Sequence, residues 1–334
     1  MTAELPSKTK IRKCGEMVRA SRYDPDFWNE SFSPVEELVE ARRVVNLYRR
    51  AHQLPMTKVR NGLASMVSTI GADPVLAQTL KRTPRIIRKL HRSVGSSSGT
   101  TSLDRLEDIG GVRVIVPDQD HVTRLADRIN SIWQVRRERD YVVQPQPSGY
   151  WARHIVVVRD DRFVEIQLRT PWEQSWADAV EAADSRLNLT LKDGDGPESM
   201  RRYFASLRRN CALASWAIQW TPIQSERFLR LANELFSKAT TRNREDSMSQ
   251  SLVHFLLVYS FDEQRLIHQD EFTDTKLAVA AYEDTEAQYR NSADIDRFEV
   301  VLVGADSIQT VMRTHGHYFK DADEAMFADL LASH

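Results

Sequence analysis

Two acids, Asp108 and Glu165, are the residues best suited by sequence to carry chemistry. Asp108 stands just before Gly110 and Gly111, which lead into a β-type run, and Glu165 lies in a run of alternating apolar and polar residues. Carboxylate oxygens are the ligands that Mg²⁺ prefers, and a carboxylate can also accept or orient a proton. On residue type alone, Asp108 could equally cap a turn, and Glu165 could form an ion pair with Arg169.

The run around Glu165 predicts a half-buried strand of a hairpin. Positions 164, 166 and 168 are apolar and point to one side of an extended chain, whereas Glu165, Gln167 and Arg169 point to the other. A second apolar run at 154–158 precedes it across a short turn. One face of this hairpin is therefore polar and available for a functional site.

A basic amphipathic helix is predicted upstream, beginning at Thr83 and Pro84. Its arginines recur on one face and its apolar residues on the opposite face. The surface is either an ordinary solvated face or a phosphate-binding surface near a helix N-terminus, where backbone N–H groups favour anions. The basic residues on or beside this helix are Lys81, Arg82, Arg85, Arg88, Lys89 and Arg92.

The remaining pattern predicts helices and strands in alternation. A cap signature at Ser33, Pro34 and Glu36 begins an N-terminal helix. The C-terminal strands could form a sheet of their own or extend the edge of the first. We further predict helices over residues 58–70, 73–82, 120–133, 171–187, 198–243, 275–290 and 307–314, strands over 112–116, 252–260 and 298–303, a loop over 93–102, and a short helix after Asp323.

The composition is that of an ordinary globular protein. Of the 334 residues 41% are apolar and 28% are charged, and the net charge is −1, so the chain as a whole does not attract polyanions. Residues 201–244 hold nine basic and two acidic side chains, whereas residues 262–334 hold six basic and sixteen acidic ones. Cys14 and Cys211 cannot build a disulfide framework, and no apolar run is long enough to span a membrane. We expect a cytoplasmic protein with no membrane partner.

Taken in order, these motifs resemble the synthetase domain of the RelA/SpoT family of nucleotide pyrophosphokinases. That family has a basic helix start, then Asp-Ile-x-Gly-x-Arg, then Asp-Tyr followed by Pro-Lys-x-Asn-Gly-Tyr-x-x-x-His, then Glu-x-Gln-x-Arg-Thr. The corresponding segments here are residues 81–89, 108–113, 140–154 and 165–170. The clear resemblance covers residues 79–185, with a weaker likeness over the flanks.

The resemblance implies an α/β (α+β) fold with a mixed central sheet flanked by helices, N-terminal helices and a small C-terminal α/β unit. It also implies transfer of the β,γ-pyrophosphate of ATP to the 3′-hydroxyl of a nucleotide. Asp108 and Glu165 would hold Mg²⁺ and act as the catalytic carboxylates. The cations implied to bind the ATP phosphates are Lys81, Arg85, Lys89 and Arg113. On the acceptor side Tyr150 would stack on the base, and Gln167 and Arg169 would order the site.

The sequence departs from the family pattern mainly on the acceptor side. Gln146 replaces the usual Lys, Ser148 the usual Asn, and Gln174 a His of the following helix. On the donor side, Thr79 replaces an Arg. Without the family pattern, Tyr150 would be interpreted as a core aromatic, and we interpret His154 as structural and the pair His315 and His317 as a turn.

We predict four regions along the chain. Residues 1–72 form an N-terminal helical region, 73–195 the synthetase core, 196–248 a basic helical segment and 249–334 an acidic C-terminal α/β region. The opposite charges of the last two regions lead us to expect that residues 262–334 dock on the basic helices and modulate access to the site.

Three functions are open at this point. The chain could make (p)ppGpp-type alarmones from guanosine or adenosine nucleotides, could pyrophosphorylate the 3′ end of tRNA as toxic members of the family do, or could be an inactive nucleotide-sensing module. The upstream segment has no His-Asp dipeptide, so we expect no hydrolase domain there. A synthesis-only enzyme inhibits growth unless restrained, so we expect an antitoxin or regulatory partner. A homo-oligomer is a further expectation.

Overall fold

The centre of the molecule is one eight-stranded mixed sheet with helices on both faces, which confirms the expectation of a mixed sheet flanked by helices. The computed structural model describes residues 5–20, 36–72, 75–93, 101–144, 150–187, 198, 201–202, 252–260, 262–263, 265–290, 298–315 and 318–319. The strands are β1 (Val75–Leu80), β2 (Gly110–Ile115), β3 (Val135–Asp140), β4 (Arg153–Arg159), β5 (Arg162–Arg169), β6 (Val253–Ser260), β7 (Arg265–Phe272) and β8 (Phe298–Ala305). Their order is β3-β4-β5-β2-β1-β8-β6-β7. Strands β2 and β5 are parallel, and the other described pairs are antiparallel.

Eight longer helices accompany the sheet within the described residues. They are α1 (Lys8–Ala20), α2 (Glu36–Arg50), α3 (Gln53–Thr69), α4 (Thr83–Arg92), α5 (Gln119–Ile132), α6 (Pro171–Leu187), α7 (Thr275–Arg290) and α8 (Ile308–Thr314). The predicted start of α4 and the predicted bounds of α6 and α7 are confirmed. None of the described helices is both long enough and apolar enough to cross a membrane.

The prediction of a helix over residues 73–82 is wrong. This segment contains β1, which pairs with β2 on one side and β8 on the other. Leu76 and Ala77 are 3% and 1% exposed, so opposite faces of the strand are both buried. A short run that is apolar on both faces does not show the alternation that distinguishes a strand from a helix. Strands β3 and β7 were not predicted, because these edge strands are largely polar.

The C-terminal strands extend the same sheet. Residues Gln78 and Thr79 of β1 pair with Gly304 and Val303 of β8, and β6 and β7 follow. Of the two arrangements left open for this region, the edge extension is the one observed. The boundaries predicted at residues 72, 195 and 248 stay predictions.

The faces of the sheet have different coverings. Helices α3 and α5 pack on the face that bears Val112 and Ile166, where a cluster of fully buried aliphatic side chains forms the main core. Burying each such side chain contributes about 1.5–3 kcal/mol, so this face supplies much of the stability. We call the opposite face, which bears Arg113, Glu165 and Gln167, the site face. Helix α8 lies on this face, over β1 and β8.

Candidate functional site

The register of three central strands brings the predicted site residues together. Strand β1 pairs with β2 so that Leu80 lies opposite Gly110, which puts Lys81 beside Asp108 at one end of both strands. The backbone N–H of Lys81 donates to the carbonyl of Ile109 at 2.8 Å and fixes this corner. Strand β5 runs parallel to β2, with Glu165 opposite Gly111.

Asp108 is ionised and has one free carboxylate oxygen. Its Oδ2 accepts hydrogen bonds from the ammonium groups of both Lys81 and Lys89, the latter at 2.5 Å. Its Oδ1 is buried and has no hydrogen-bond partner among the residues that the structure describes. Burial alone would raise the pKa of Asp108, but the charges of the two lysines outweigh it and the pKa is lowered. A buried, ionised oxygen without a donor fits a hard divalent cation.

Lys81 connects the two carboxylates electrically. It bonds to Asp108, and its charge also lowers the pKa of Glu165, while the Glu165 charge raises that of Asp108. Arg49 supports this corner from α2, because its Nε donates to the carbonyl of Lys81 at 2.7 Å. Asp108 and Glu165 therefore belong to one cluster of charges, as a shared cation would require.

Glu165 is held more rigidly than Asp108. Its Oε1 lies 3.1 Å from Nδ1 of His154, and its Oε2 accepts a hydrogen bond from Nε2 of Gln167 at 2.9 Å. Burial opposes ionisation, but the charge and hydrogen bond of His154 outweigh it, so the pKa of Glu165 is lowered far below its ordinary value. Such a carboxylate stays charged and is a weak proton acceptor.

His154, which the sequence analysis interpreted as structural, contacts both Glu165 and Tyr150. Burial disfavours its charged form, but the neighbouring Tyr150 and Glu165 outweigh this and raise the pKa of His154 to about 9. A charged ring donates from both nitrogens, to Glu165 through Nδ1 and to the Tyr150 hydroxyl through Nε2 at 2.7 Å. Its place in the Tyr-x-x-x-His motif was the available signal.

A buried arginine closes this network. Arg169 is 0% exposed, donates to the Tyr150 hydroxyl at 2.8 Å through Nη2, and donates to Oε1 of Gln174 at 2.9 Å through Nη1. Tyr150 is 3% exposed, and its ring makes edge contacts with Tyr141 and Trp176. In this structure Arg169 therefore positions other residues. Direct acceptor binding by Tyr150, Gln167 and Arg169 stays a prediction.

The remaining two predicted ATP-binding cations face the C-terminal region. Arg85 has an exposed side chain on α4, and its Nη2 lies 3.8 Å from Oε1 of Glu299 on β8. Arg113 is half-buried on β2 and donates through Nη1 to the carbonyl of Thr314 at the end of α8. Sequence spacing gave no signal for either contact, because about two hundred residues separate the partners.

Several predicted features lie outside the described residues. They include Gln146 and Ser148 of the acceptor loop, His317, the helix after Asp323 and, apart from Arg201 and Arg202, the basic segment 201–244. The predicted docking of residues 262–334 on that segment therefore stays a prediction.

Comparison with known proteins places a family region over the site. Residues 78–186, about a third of the chain, match the region found in RelA/SpoT proteins, which confirms the resemblance indicated by the motifs. No curated protein matches the chain.

Solved structures are similar to about half of the chain. Small alarmone synthetase 1 from Bacillus subtilis bound to its product pppGpp is 18% identical, covering 52% of this chain and 95% of its own, with a TM-score of 0.42. A GTP pyrophosphokinase family protein from Streptococcus pneumoniae is 21% identical, covering 54% and 92%, with a TM-score of 0.40. The complex of the Type VI effector Tas1 with its immunity protein is 17% identical, covering 51% and 97%, with a TM-score of 0.34.

Proposed function

We propose that this chain, which carries the RelA/SpoT region over residues 78–186, is an ATP-dependent nucleotide pyrophosphokinase. The 3′-hydroxyl oxygen of a guanosine or adenosine nucleotide attacks the β-phosphorus of ATP. The bond between the β-phosphorus and the oxygen that bridges it to the α-phosphorus breaks, AMP leaves with that oxygen, and the hydroxyl proton passes to solvent water. The product is an alarmone of the (p)ppGpp type.

One observation carries this proposal. The ionised Asp108 has a buried oxygen without a donor, and Lys81 ties it electrically to the ionised Glu165. Pyrophosphoryl transfer depends mainly on positioning and on neutralising charge, so it needs carboxylates for a metal and cations for phosphates in one place. An inactive nucleotide-binding module would not need both carboxylates ionised and adjacent.

Mg²⁺ is the metal that these donors suit, and Asp108 and Glu165 would hold it. When bound, Mg²⁺ neutralises charge on the phosphates. Lys81 and Lys89 already pair with Asp108, so their ammonium groups lie where phosphate oxygens near that carboxylate would find them. Arg85 and Arg113 would bind the remaining phosphates of ATP.

The low pKa of Glu165 favours a role in orienting the attacking hydroxyl over a role in accepting its proton. A carboxylate with a strongly lowered pKa does not take a proton readily, but it accepts a hydrogen bond well. Glu165 would therefore orient the attacking hydroxyl. Gln167 and His154 fix the carboxylate, so the direction of that hydrogen bond is set before the acceptor binds.

A second acceptor, the 3′ end of tRNA, is favoured by the edge of the sheet. Strand β3 carries Arg136, Arg137 and Arg139, and Arg139 lies opposite His154 in the register. Arginines along an exposed edge bind phosphodiester backbones, and such binding weakens with salt. Arg136 and Arg137 are both paired with Glu107, which reduces the charge they offer to RNA.

The test is transfer of label from ATP. The protein is incubated with γ-labelled ATP, Mg²⁺ and one acceptor: GDP, GTP, ATP or bulk tRNA. We expect labelled product with one nucleotide class or with tRNA, and the labelled species identifies the acceptor. Absence of transfer to every acceptor would contradict the proposal.

The matched controls are Glu165→Gln and Glu271→Gln. The first removes the charge at the site, and we expect transfer to fall by about a thousandfold or more. The second makes the same change on the exposed face of β7, away from the site, and we expect no change. Undiminished transfer by Glu165→Gln would remove that residue from the mechanism.

A further inference from the structure

The C-terminal part of the chain covers the end of the site face where the ATP phosphates are proposed to bind. We call residues 298–315 and 318–319, which contain β8 and α8, the closing segment. Its apolar side chains Val303, Val311 and Tyr318 pack with Ala77 of β1 in one buried cluster. Because Ala77 and Arg113 are paired in register, this cluster lies directly beside a predicted ATP-binding cation.

The end of α8 binds that cation. Arg113 donates through Nη1 to the carbonyl of Thr314, and Nε2 of Gln174 donates to the same oxygen at 3.0 Å. The last carbonyls of a helix carry a partial negative charge, because they lack donors within the helix. Thr314 is 0% exposed, so this electron-rich oxygen meets Arg113 away from water.

A buried carboxylate of the closing segment binds the start of α4. Glu299 is 5% exposed, and its Oε1 lies 2.6 Å from Nη2 of Arg82 and 3.8 Å from Nη2 of Arg85. The N-terminal turn of a helix attracts anions, and here two arginines add to that attraction. At the start of α4 this anion is the carboxylate of Glu299, a side chain of the protein itself.

We propose that α8 and the Glu299 side chain of the closing segment occupy the ATP phosphate site in place of ATP and compete with it, while β8 stays paired with β1 and β6 in the sheet. The Glu299 carboxylate pairs with Arg82 and lies 3.8 Å from Arg85, and the Thr314 carbonyl accepts a hydrogen bond from Arg113. Arg85 and Arg113 are two of the four cations assigned to the ATP phosphates. This inference rests on the proposed function and adds a mode of regulation to it. Within the described part of the chain, the hydrogen bonds of Lys81, Lys89, Asp108 and Glu165 go to other groups of the site and not to the closing segment.

The arrangement is suited to reversible displacement. A triphosphate offers Arg85 and Arg113 more negative charge than one carboxylate and one carbonyl, so ATP gains electrostatically on entry. When α8 and Tyr318 are displaced by ATP, the side chains of Val311 and Tyr318 become exposed. They are 0% and 6% exposed in the closed arrangement, so this displacement costs hydrophobic free energy. The balance sets the ATP concentration at which the site opens.

The first test weakens the closing segment at one atom. In Glu299→Gln the side-chain shape is kept and the charge is lost, and binding of Mg²⁺ with α,β-methylene-ATP is measured by calorimetry. We expect the apparent Kd to fall by about tenfold, since the negative charge of Glu299 no longer competes with the phosphates for Arg85. In the transfer assay the KM for ATP should fall while kcat is unchanged. Glu271→Gln, an exposed acid of β7, should bind the analogue as the wild type does.

The second test uses the wild-type chain, and it applies even where Glu299→Gln folds poorly. Amide hydrogen exchange of residues 308–314 is measured with and without the same analogue. Competition predicts faster exchange of α8 when the analogue is bound. Unchanged or slower exchange, or equal affinity of wild type and Glu299→Gln, overturns this inference and leaves the proposed function standing. Absence of any analogue binding by both proteins overturns the proposed function as well.

Discussion

The Asp108 end and the Glu165 end of the site hold their carboxylates in different ways. Two lysines with flexible side chains hold one oxygen of Asp108, and the other oxygen has no donor. Both oxygens of Glu165 are bonded, to side chains of the same hairpin. The first arrangement can exchange partners when a metal or phosphate arrives, whereas the second fixes one geometry in advance.

This difference separates binding from positioning within one site. The Asp108 end, which we call the donor end because ATP is proposed to bind there, is a set of charges whose present partners include Glu299 and Thr314. The proposed competition requires ATP to replace these two partners. The Glu165 end, which we call the acceptor end because the acceptor nucleotide is proposed to bind there, is a hydrogen-bond network that extends inward to Arg169. Substitutions at the donor end should therefore change how activity depends on Mg²⁺ and ATP. Substitutions at the acceptor end should change the free energy of unfolding and its dependence on pH.

After Glu165→Gln, the largest expected effect is that of Asp108→Asn at the donor end. The amide cannot serve as a charged metal ligand, and Lys81 and Lys89 lose their shared counterion. We expect transfer to fall by at least about a hundredfold and the Mg²⁺ concentration for half-maximal activity to rise by about tenfold or more. Activity is measured over a Mg²⁺ titration.

Asp104→Asn is the matched control for that experiment. Asp104 lies four residues earlier, is also ion-paired, and binds Arg12 at 3.0 Å rather than the site lysines. Its Mg²⁺ dependence should equal that of the wild type. The same Mg²⁺ dependence in Asp108→Asn would show that Asp108 is not a metal ligand, and the contrast between the two ends would fail.

The next effect is the loss of stability in Arg169→Lys at the acceptor end. A lysine has one ammonium group and cannot reproduce the planar fork that reaches both Tyr150 and Gln174. We expect the free energy of unfolding to fall by about 2–4 kcal/mol, measured in urea, because buried polar groups lose their partners. Arg159→Lys on the exposed end of β4 should change it by less than about 0.5 kcal/mol. Equal losses in the two variants would contradict a buried network.

Two parts of the fold that the sequence predicted have a one-sided burial pattern. Strand β5 and helix α5 each bury mainly one face, so their apolar residues recur with a readable period. Strand β1 is buried on both faces, and β7 is an edge strand with few buried residues, so neither carries that period. No signal in the sequence indicated that β8 would pair with β1.

The contacts of the site also divide into those with a sequence signal and those without one. Asp108, Glu165, Lys81 and Lys89 were predicted as site residues because they lie in short motifs that resemble those of the family, and the sheet register brings these motifs together. The contact of Arg113 with Thr314 involves a backbone carbonyl, which every residue has. No residue type marks such a partner in advance, so only the tertiary structure could reveal it.

The smallest effect expected is a pH-dependent contribution of His154 to stability. Its pKa rises from an ordinary value of 6.5 to about 9 on folding, so the charged ring stabilises the fold fully below about pH 6.5 and loses that effect as the pH rises through 9. Against His154→Gln, urea unfolding should give the wild type an advantage of about 1–2 kcal/mol at pH 6 that shrinks toward pH 9.5. In a Glu165→Gln background the pH dependence should weaken, because a partner that raises the pKa is gone. A difference that stays constant with pH in both backgrounds would mean that the ring is not charged by this network, and the Glu165 end would then be fixed by hydrogen bonds alone.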